Sequence, residues 1–258
     1  MKKILALWAH PRSTSTAFEC MMKERGDFFV LHEPFGLAYY NSEDRISDRS
    51  AHIRPQPEHN CEAIWQRLQQ QVSHQAVFIK DMATHINPLL DEAFLSCFES
   101  TFIIRHPAKA LPSLFDVWSD FTLEEAGYTE LYKLFERVME INDKVPVVIN
   151  SDDLIRNPEA TVKAYCNAVG IPFIPQALYW KPSERPEVSW FENGRCHTYL
   201  KSSSGFKEQE NKKYLDIKDN EYLKQAYEIN FPYYQKLNEY CIKPAKLGVA
   251  ESRYENKN

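Results

Sequence analysis

The residues best suited to bind an anionic ester lie at 5–19, in the stretch LALWAHPRSTSTAFE. An apolar run ends before Pro11, and Arg12 then opens a turn into a segment that we predict to be helical over 17–25. Four consecutive hydroxyl residues follow the arginine, namely Ser13, Thr14, Ser15 and Thr16. The first turn of a helix has unpaired N–H groups and a partial positive charge, and Arg12 adds planar donors. The pattern therefore predicts a phosphate or sulfate ester site.

An alternative interpretation of this stretch is a capped helix after a strand, because Ser and Thr are ordinary N-cap residues. Four hydroxyl residues behind an arginine exceed what a cap requires. The loop contains no glycine, and the Walker A pattern GxxxxGK[ST] is absent from it. This absence argues against an ordinary ATPase or GTPase.

A second candidate anion site lies at 102–118, in FIIRHPAKALPSLFDVW. Arg105 ends a predicted strand, and Pro107 suits the first turn of the helix that follows. Ser113 then lies almost two turns along that helix, so Arg105 and Ser113 could grip one oxyanion together. The alternative is an arginine that caps the sheet edge and a serine on a solvated face.

Five short apolar runs predict strands, and segments with helical spacing of apolar residues separate most of them. The predicted strands are 4–9, 27–32, 76–81, 100–105 and 145–150, and the clearest helices are 58–74, 122–143 and 219–241. This alternation implies parallel pairing, and hence a three-layer α/β/α domain with a central, mainly parallel sheet. Such sheets bind ligands beyond the carboxyl ends of their strands.

The rest of the pattern predicts one domain over 1–243 and a flexible tail over 244–258. Residues 34–57 mix Pro, Asn, Ser, Asp and Arg, which predicts a long loop or lid over the carboxyl edge of the sheet. Prolines, glycines and a run of three serines predict irregular structure over 181–212.

Composition argues against several functional classes. The net charge of −5 opposes broad binding of nucleic acid, so any anion site is local. The six cysteines are scattered without CxxC spacing, so we expect no metal site and reduced thiols, as in a cytoplasmic protein. The apolar run before His10 is too short for a signal-peptide core, and no apolar span of about 18 residues predicts a membrane helix.

Together these segments resemble the sulfotransferases that use 3′-phosphoadenosine 5′-phosphosulfate (PAPS). Residues 11–16 stand where that family has a PKSGTTW-like loop for the 5′-phosphosulfate, with Arg12 in place of the more frequent Lys. Arg105 and Ser113 match its second motif, Arg-x-Pro with Ser eight positions after the Arg, which grips the 3′-phosphate. A third similarity is at 147–170, where a strand, an acidic pair, Asn-Pro and a helix ending in Gly follow in the family's order.

The resemblance implies transfer of a sulfuryl group from PAPS to a hydroxyl of a small-molecule, lipid or carbohydrate acceptor, without a metal. Arg12 and the four hydroxyl residues after it would hold the sulfuryl donor, and Arg105 and Ser113 would select its 3′-phosphate. Lys201, which opens the segment KSSSG, is the nearest counterpart of the family's late Arg-Lys-Gly loop.

Two residues could take the proton of the acceptor hydroxyl. Glu33 closes the second predicted strand, and some bacterial and carbohydrate-acting members have a Glu at a similar place. His85 follows the third strand in FIKDMATH, which resembles the KTH segment of the small-molecule enzymes, although DMA intrudes between Lys80 and Thr84. We favour Glu33 as the base. The alternatives are a strand-end cap for Glu33, a backbone-bonded loop histidine for His85, and an ion pair between Lys80 and Asp81.

Two other functions stay open on the sequence. One is a P-loop-type kinase of nucleotides or small molecules, which the missing Walker Lys-Ser/Thr opposes. The other is a non-catalytic nucleotide-binding relative, because a shared fold does not imply a shared activity.

Overall fold

The strand Ile4–Ala9 (β1) lies at the centre of a parallel sheet in a computed structural model that describes residues 4–184, 200–207 and 213–243. Four further strands complete the sheet: β2 Phe29–His32, β3 Val77–Met82, β4 Phe98–Ile104 and β5 Val147–Asn150. Their spatial order is β2-β3-β1-β4-β5, and every neighbouring pair is parallel. All five carboxyl ends therefore lie at one edge of the sheet.

Helices connect the strands and cover both faces of the sheet. In the described part of the chain the α-helices are α1 Ser15–Arg25, α2 Pro34–Asn41, α3 Cys61–His74, α4 Glu92–Leu95, α5 Pro107–Phe115, α6 Tyr128–Asn142, α7 Ser151–Arg156, α8 Pro158–Val169 and α9 Glu221–Glu239. A 3₁₀ segment, Ala83–Leu89, follows β3 directly.

Two apolar cores lie on opposite faces of the sheet. Alternate residues of β1 separate between them: Trp8 packs into the core that contains α3, α5, α6 and α9, whereas Leu7 packs into the core that contains α1 and α8. Both faces of β1 are buried, which explains its unbroken apolar sequence. The predicted three-layer α/β/α class is confirmed.

The ends of the predicted elements differ from the observed ones by short distances. Each strand boundary lies within two residues of its prediction. The helix predicted over 122–143 begins later, at Tyr128, because Gly127 before it has a left-handed backbone with φ of 78°. The predicted tail 244–258 and much of the predicted irregular segment 181–212 lie outside the described residues.

The prediction of a long loop over 34–57 is wrong for its first third, where the chain forms α2. Pro34 occupies the first turn, where its missing N–H costs nothing. The helix is stabilised by tertiary contacts, since Phe35 and Tyr39 are buried and the Phe35 N–H donates to the Asp81 carboxylate at 2.7 Å. Beyond α2 the chain turns through the short 3₁₀ segments Asp48–Ser50 and Pro57–His59.

His10, directly after β1, joins two neighbouring strand ends. Its Nδ1 donates to the Pro11 carbonyl at 2.9 Å, and its Nε2 accepts the backbone N–H of Arg105 at 3.0 Å. The ring stacks on Tyr128 with centroids 4.0 Å apart, and the Tyr128 hydroxyl donates to the Arg105 carbonyl. Burial lowers the pKa of His10 to about 3, so the ring is neutral in the folded protein.

Substitution of Gly127 tests the packing of α6 against the end of β1. A Cβ here would lie 3.2 Å from His10 Cβ and 3.2 Å from Pro11 Cδ. Gly170 is a matched control, because its φ of 72° is similar and a Cβ there would meet nothing within 4 Å. We expect Gly170→Ala to lower the free energy of unfolding by about 1 kcal/mol through backbone strain, and Gly127→Ala by a further ~1–3 kcal/mol. Equal losses in urea unfolding would contradict this packing.

The buried His10 also predicts acid sensitivity. Its pKa is about 3 in the folded protein and 6.5 for an unperturbed histidine, so between these pH values only the unfolded chain gains a proton here. Stability is therefore lost as the pH falls through this window, by up to about 1.4 kcal/mol per pH unit. We expect His10→Gln to flatten the dependence measured by urea unfolding from pH 7 to 4. Parallel curves for His10→Gln and wild type would refute the assignment.

Candidate active site

The loop of residues 11–16 leaves the carboxyl end of β1 and turns directly into α1. Arg12 and Thr14 have φ values of 64° and 70°, in the left-handed region that residues other than glycine rarely adopt. Each such residue costs on the order of 1–3 kcal/mol, and this strain is concentrated at ligand sites. The loop thus adopts without glycine a conformation that glycine would adopt freely. Because α1 begins at Ser15, the N–H groups of Ser15 and Thr16 precede the first helical hydrogen bond, which the Ala17 N–H donates to the Thr14 carbonyl at 3.1 Å.

The two candidate anion motifs of the sequence meet in one hydrogen-bonded cluster. Arg12 Nε donates to Ser113 Oγ at 2.9 Å, and Arg105 Nη1 donates to the Arg12 carbonyl at 3.1 Å. The Ser113 hydroxyl donates in turn to the Tyr214 hydroxyl at 3.1 Å. Burial and the neighbouring Arg12 lower the pKa of Arg105, yet a guanidinium keeps its charge at neutral pH. Two adjacent cations make this cluster attractive to an anion.

Two polar atoms of the cluster are buried without a partner. Ser13 Oγ and Arg105 Nε have no hydrogen-bond partner among the residues that the structure describes. Ser13 is held in place by its backbone, because the Ser151 hydroxyl donates to the Ser13 carbonyl. A buried polar atom without a partner is costly and rare, and a bound ligand is one of its ordinary explanations.

The cluster opens into a cavity of about 380 Å³ at the carboxyl edge of the sheet. Every sequence-predicted site residue except Lys201 contributes to its wall: Arg12, Ser13, Thr14, Ser15, Thr16, Glu33, His85, Arg105 and Ser113. Lys201 instead pairs with Glu184 at 2.7 Å. Lys207, six residues further along the chain, lines the cavity. The structure thus brings together Arg12 and Ser113, which are 101 positions apart along the chain.

Glu33 lies in a buried network of alternating charges. It has a left-handed backbone, with φ of 43°, at the start of α2, and its carboxylate accepts a hydrogen bond from Lys80 Nζ. His32 Nδ1 lies 2.7 Å from a Glu19 carboxylate oxygen, and Lys80 Nζ lies 3.9 Å from the same oxygen. Burial acts to raise the pKa of Glu19, but His32 and Lys80 outweigh it, so the net shift is downward. The network therefore stabilises ionised carboxylates.

The ion pair between Lys80 and Asp81, which the sequence left open as an alternative, does not form, because successive residues of β3 face opposite sides of the sheet. Lys80 faces the α1 side and meets Glu33 and Glu19. Asp81 faces the other side, where its Oδ1 lies 2.6 Å from His85 Nδ1. His85 is accordingly bonded to a carboxylate and not to the backbone.

Several residues of the site could not be identified from sequence motifs. His10 and Tyr214 act through contacts with distant segments. Tyr39 and Tyr40, whose rings lie 5.1 and 5.3 Å from that of His85, belong to the helix that the sequence did not predict. Asp81 had a detectable signal, since Asp and His four residues apart can meet where the chain turns after a strand.

Among the described residues, no helix is long and apolar enough to cross a bilayer.

Comparisons with known proteins give the family. The family model described as "Sulfotransferase domain" matches residues 1–239. Branched-chain-amino-acid aminotransferase-like protein 2 of Arabidopsis thaliana is 26% identical over 210 residues, which cover 79% of this chain and 36% of that protein. Sulfotransferase ppzF of Metarhizium rileyi is 27% identical over 125 residues, which cover 40% of this chain and 36% of that protein. The chain thus spans about a third of the length of the curated relatives it matches.

Mouse sulfotransferase SULT7A1, in a structure complexed with PAP, aligns with a TM-score of 0.48 and 11% identity over 93% of this chain and 89% of that one. The sulfotransferase domain of the Synechococcus PCC 7002 olefin synthase aligns with a TM-score of 0.48 and 14% identity, over 79% of this chain and 84% of that one. Because the family model covers nearly the whole sequence, the chain belongs to the sulfotransferase domain family.

Proposed function

We propose that this chain transfers a sulfuryl group from PAPS to a hydroxyl group of a small-molecule, lipid or carbohydrate acceptor. One observation carries the proposal: the hydroxyl-rich loop, Arg105 and Ser113 converge on one cavity at the carboxyl edge of the sheet. Both motifs that resemble the PAPS-binding segments of sulfotransferases therefore face the same space.

The unpartnered atoms support an anionic donor with two separate charged groups. Arg105 Nε and Ser13 Oγ are donors that a phosphate or sulfate oxygen would satisfy. Ser13 belongs to the loop at the start of α1, where we expect the 5′-phosphosulfate. Arg105 follows β4, and its pairing with Ser113 in one motif makes it the expected contact of the 3′-phosphate. These residues therefore fit PAPS better than a nucleotide without a 3′-phosphate.

In the proposed reaction the acceptor oxygen forms a bond to sulfur while the bond between sulfur and the bridging phosphate oxygen breaks. The leaving group is 3′-phosphoadenosine 5′-phosphate, and negative charge builds on its oxygens. Arg12 and the first-turn N–H groups of α1 would stabilise that charge, because donors already positioned need no reorganisation. The acceptor hydroxyl loses its proton to a base in the same step.

The contacts favour His85 over Glu33 as that base, which reverses the preference drawn from the sequence. Lys80 donates to the Glu33 carboxylate, and a paired ammonium ion weakens a carboxylate as a proton acceptor. His85 instead pairs with the Asp81 carboxylate through Nδ1, which leaves the other ring nitrogen to accept a proton. Both residues line the cavity, so an acceptor hydroxyl could approach either one.

Nucleotide binding tests the donor site. We expect 3′-phosphoadenosine 5′-phosphate to bind in calorimetry, and Arg105→Ala to weaken it about 10- to 150-fold, which corresponds to a charged hydrogen bond. Adenosine 5′-phosphate lacks the 3′ group, so its affinity should change less than about threefold. Arg156→Ala is the control, because Arg156 is exposed and pairs only with Asp153 among the described side chains. No binding at millimolar nucleotide would refute the function, and equal losses for both nucleotides would refute the role of Arg105.

Transfer of labelled sulfate from PAPS to a panel of alcohols and phenols tests the base. We expect His85→Asn to lower kcat by about 10²–10⁴, as loss of a general base does, and Glu33→Gln to lower it less. Retained binding of 3′-phosphoadenosine 5′-phosphate would show that each variant folds. If Glu33→Gln abolishes transfer and His85→Asn retains it, Glu33 is the base. Turnover of magnesium ATP in place of PAPS would favour a kinase.

A further inference from the structure

Asp81 is a fully buried carboxylate at the end of β3, and the proposed transfer does not by itself assign it a role. Its Oδ2 accepts the backbone N–H of Phe35 at 2.7 Å, and its Oδ1 accepts the backbone N–H of Met82 at 2.8 Å. The same Oδ1 lies 2.6 Å from His85 Nδ1. Three donors around two oxygens are what an ionised carboxylate satisfies.

This arrangement determines which nitrogen of His85 carries the proton. An ionised carboxylate only accepts hydrogen bonds, so Nδ1 must be the donor. In the neutral ring the lone pair then belongs to Nε2, on the side of the ring that faces away from Asp81. The other tautomer would place two lone pairs against each other at 2.6 Å. His85 itself lines the cavity while remaining almost fully buried.

We propose that Asp81 is a positioning residue that holds His85 as the Nδ1–H tautomer, so that Nε2 takes the proton of the acceptor hydroxyl. This inference rests on the proposed sulfuryl transfer. As the oxygen–sulfur bond forms, the hydroxyl proton moves to Nε2 and the ring becomes an imidazolium. Asp81 then stabilises that cation at short range, in the manner of the carboxylate of a Ser-His-Asp triad.

Among the described residues, Asp81 is the direct ionic partner of His85. Tyr39 and Tyr40 of α2 flank the ring, and Glu130 lies on α6, which also packs against the Ala83–Leu89 segment. Burial and nearby carboxylates raise the pKa of Tyr39 to about 12, and burial raises that of Tyr40 as well, so both are neutral at physiological pH. Burial also raises the pKa of Glu130. Glu33 and Glu125 line the same cavity as His85.

A purely structural role is the competing explanation, because Asp81 also caps the start of α2 through the Phe35 N–H. The two roles differ in how the loss divides between kcat and KM. We expect Asp81→Asn to lower kcat about 10²–10⁴-fold, because the tautomer is no longer enforced, and to leave the KM for PAPS unchanged. An unchanged kcat in the folded variant would overturn the proposal.

A double substitution separates action through His85 from action elsewhere. If Asp81 works through His85, adding Asp81→Asn to His85→Asn should lower the transfer rate less than about threefold further. Losses that multiply would overturn the proposal. Thermal unfolding and binding of 3′-phosphoadenosine 5′-phosphate show whether each variant retains the fold and the donor site.

A measurement on the unaltered protein keeps the test independent of whether Asp81→Asn folds. In ¹⁵N-labelled protein at pH 8, the ring signals of His85 can be identified by their absence in His85→Asn. We expect a protonated Nδ1 and an unprotonated Nε2, and the opposite tautomer would overturn the proposal. Failure of wild type to bind 3′-phosphoadenosine 5′-phosphate would refute the proposed function itself. Binding and transfer with the wrong tautomer would refute only the role of Asp81.

Discussion

Parallel pairing of β1 with β3 on one side and β4 on the other brings together the polar ends of these three strands. The carboxyl end of β1 leads into the hydroxyl-rich loop, that of β3 carries Asp81 and leads into the segment with His85, and that of β4 leads into Arg105. The outer strand β2 pairs with β3 and adds Glu33 at the same edge. An antiparallel partner for β1 would send its following residues to the opposite edge. The cavity depends on this topology before it depends on any single side chain.

His10 fixes the carboxyl end of β1 against that of β4. It contacts the loop through Pro11 and the end of β4 through the Arg105 N–H, and Tyr128 covers its ring. A neutral histidine serves here because each nitrogen has a different task, one as donor and one as acceptor. The backbone that carries Arg105 is therefore held against the backbone that carries Arg12. The part of the cavity lined by residues 11–16 and Arg105 also has several features that are costly in the protein alone: two arginines lie close together, two buried polar atoms lack partners in the described chain, and Arg12 and Thr14 have left-handed backbones. A bound oxyanion would reduce the first two of these costs. Several costly features close together are typical of a binding site.

The two candidate bases differ because β3 sends adjacent residues to opposite faces. Lys80 reaches Glu33 on one side, and Asp81 reaches His85 on the other. The Glu33 carboxylate already accepts a hydrogen bond from Lys80, whereas His85 pairs through Nδ1 and keeps its other ring nitrogen for a proton. The alternation of side chains along β3 thus gives the two candidate bases different partners, once the neighbouring elements are in place.

The sequence by itself determined the three-layer class, the five strands and both anion motifs, because these depend on short-range patterns of apolar, hydroxyl and charged residues. Only the tertiary structure decided that residues 34–41 form a helix, that Lys207 and not Lys201 reaches the cavity, and that Lys80 pairs with Glu33. The physical reason is that α2 and the pairs around it are stabilised by residues distant in the chain. The Asp81 carboxylate on β3 accepts the N–H of Phe35 on α2, and these residues are 46 positions apart. No local pattern in the sequence specifies that they meet.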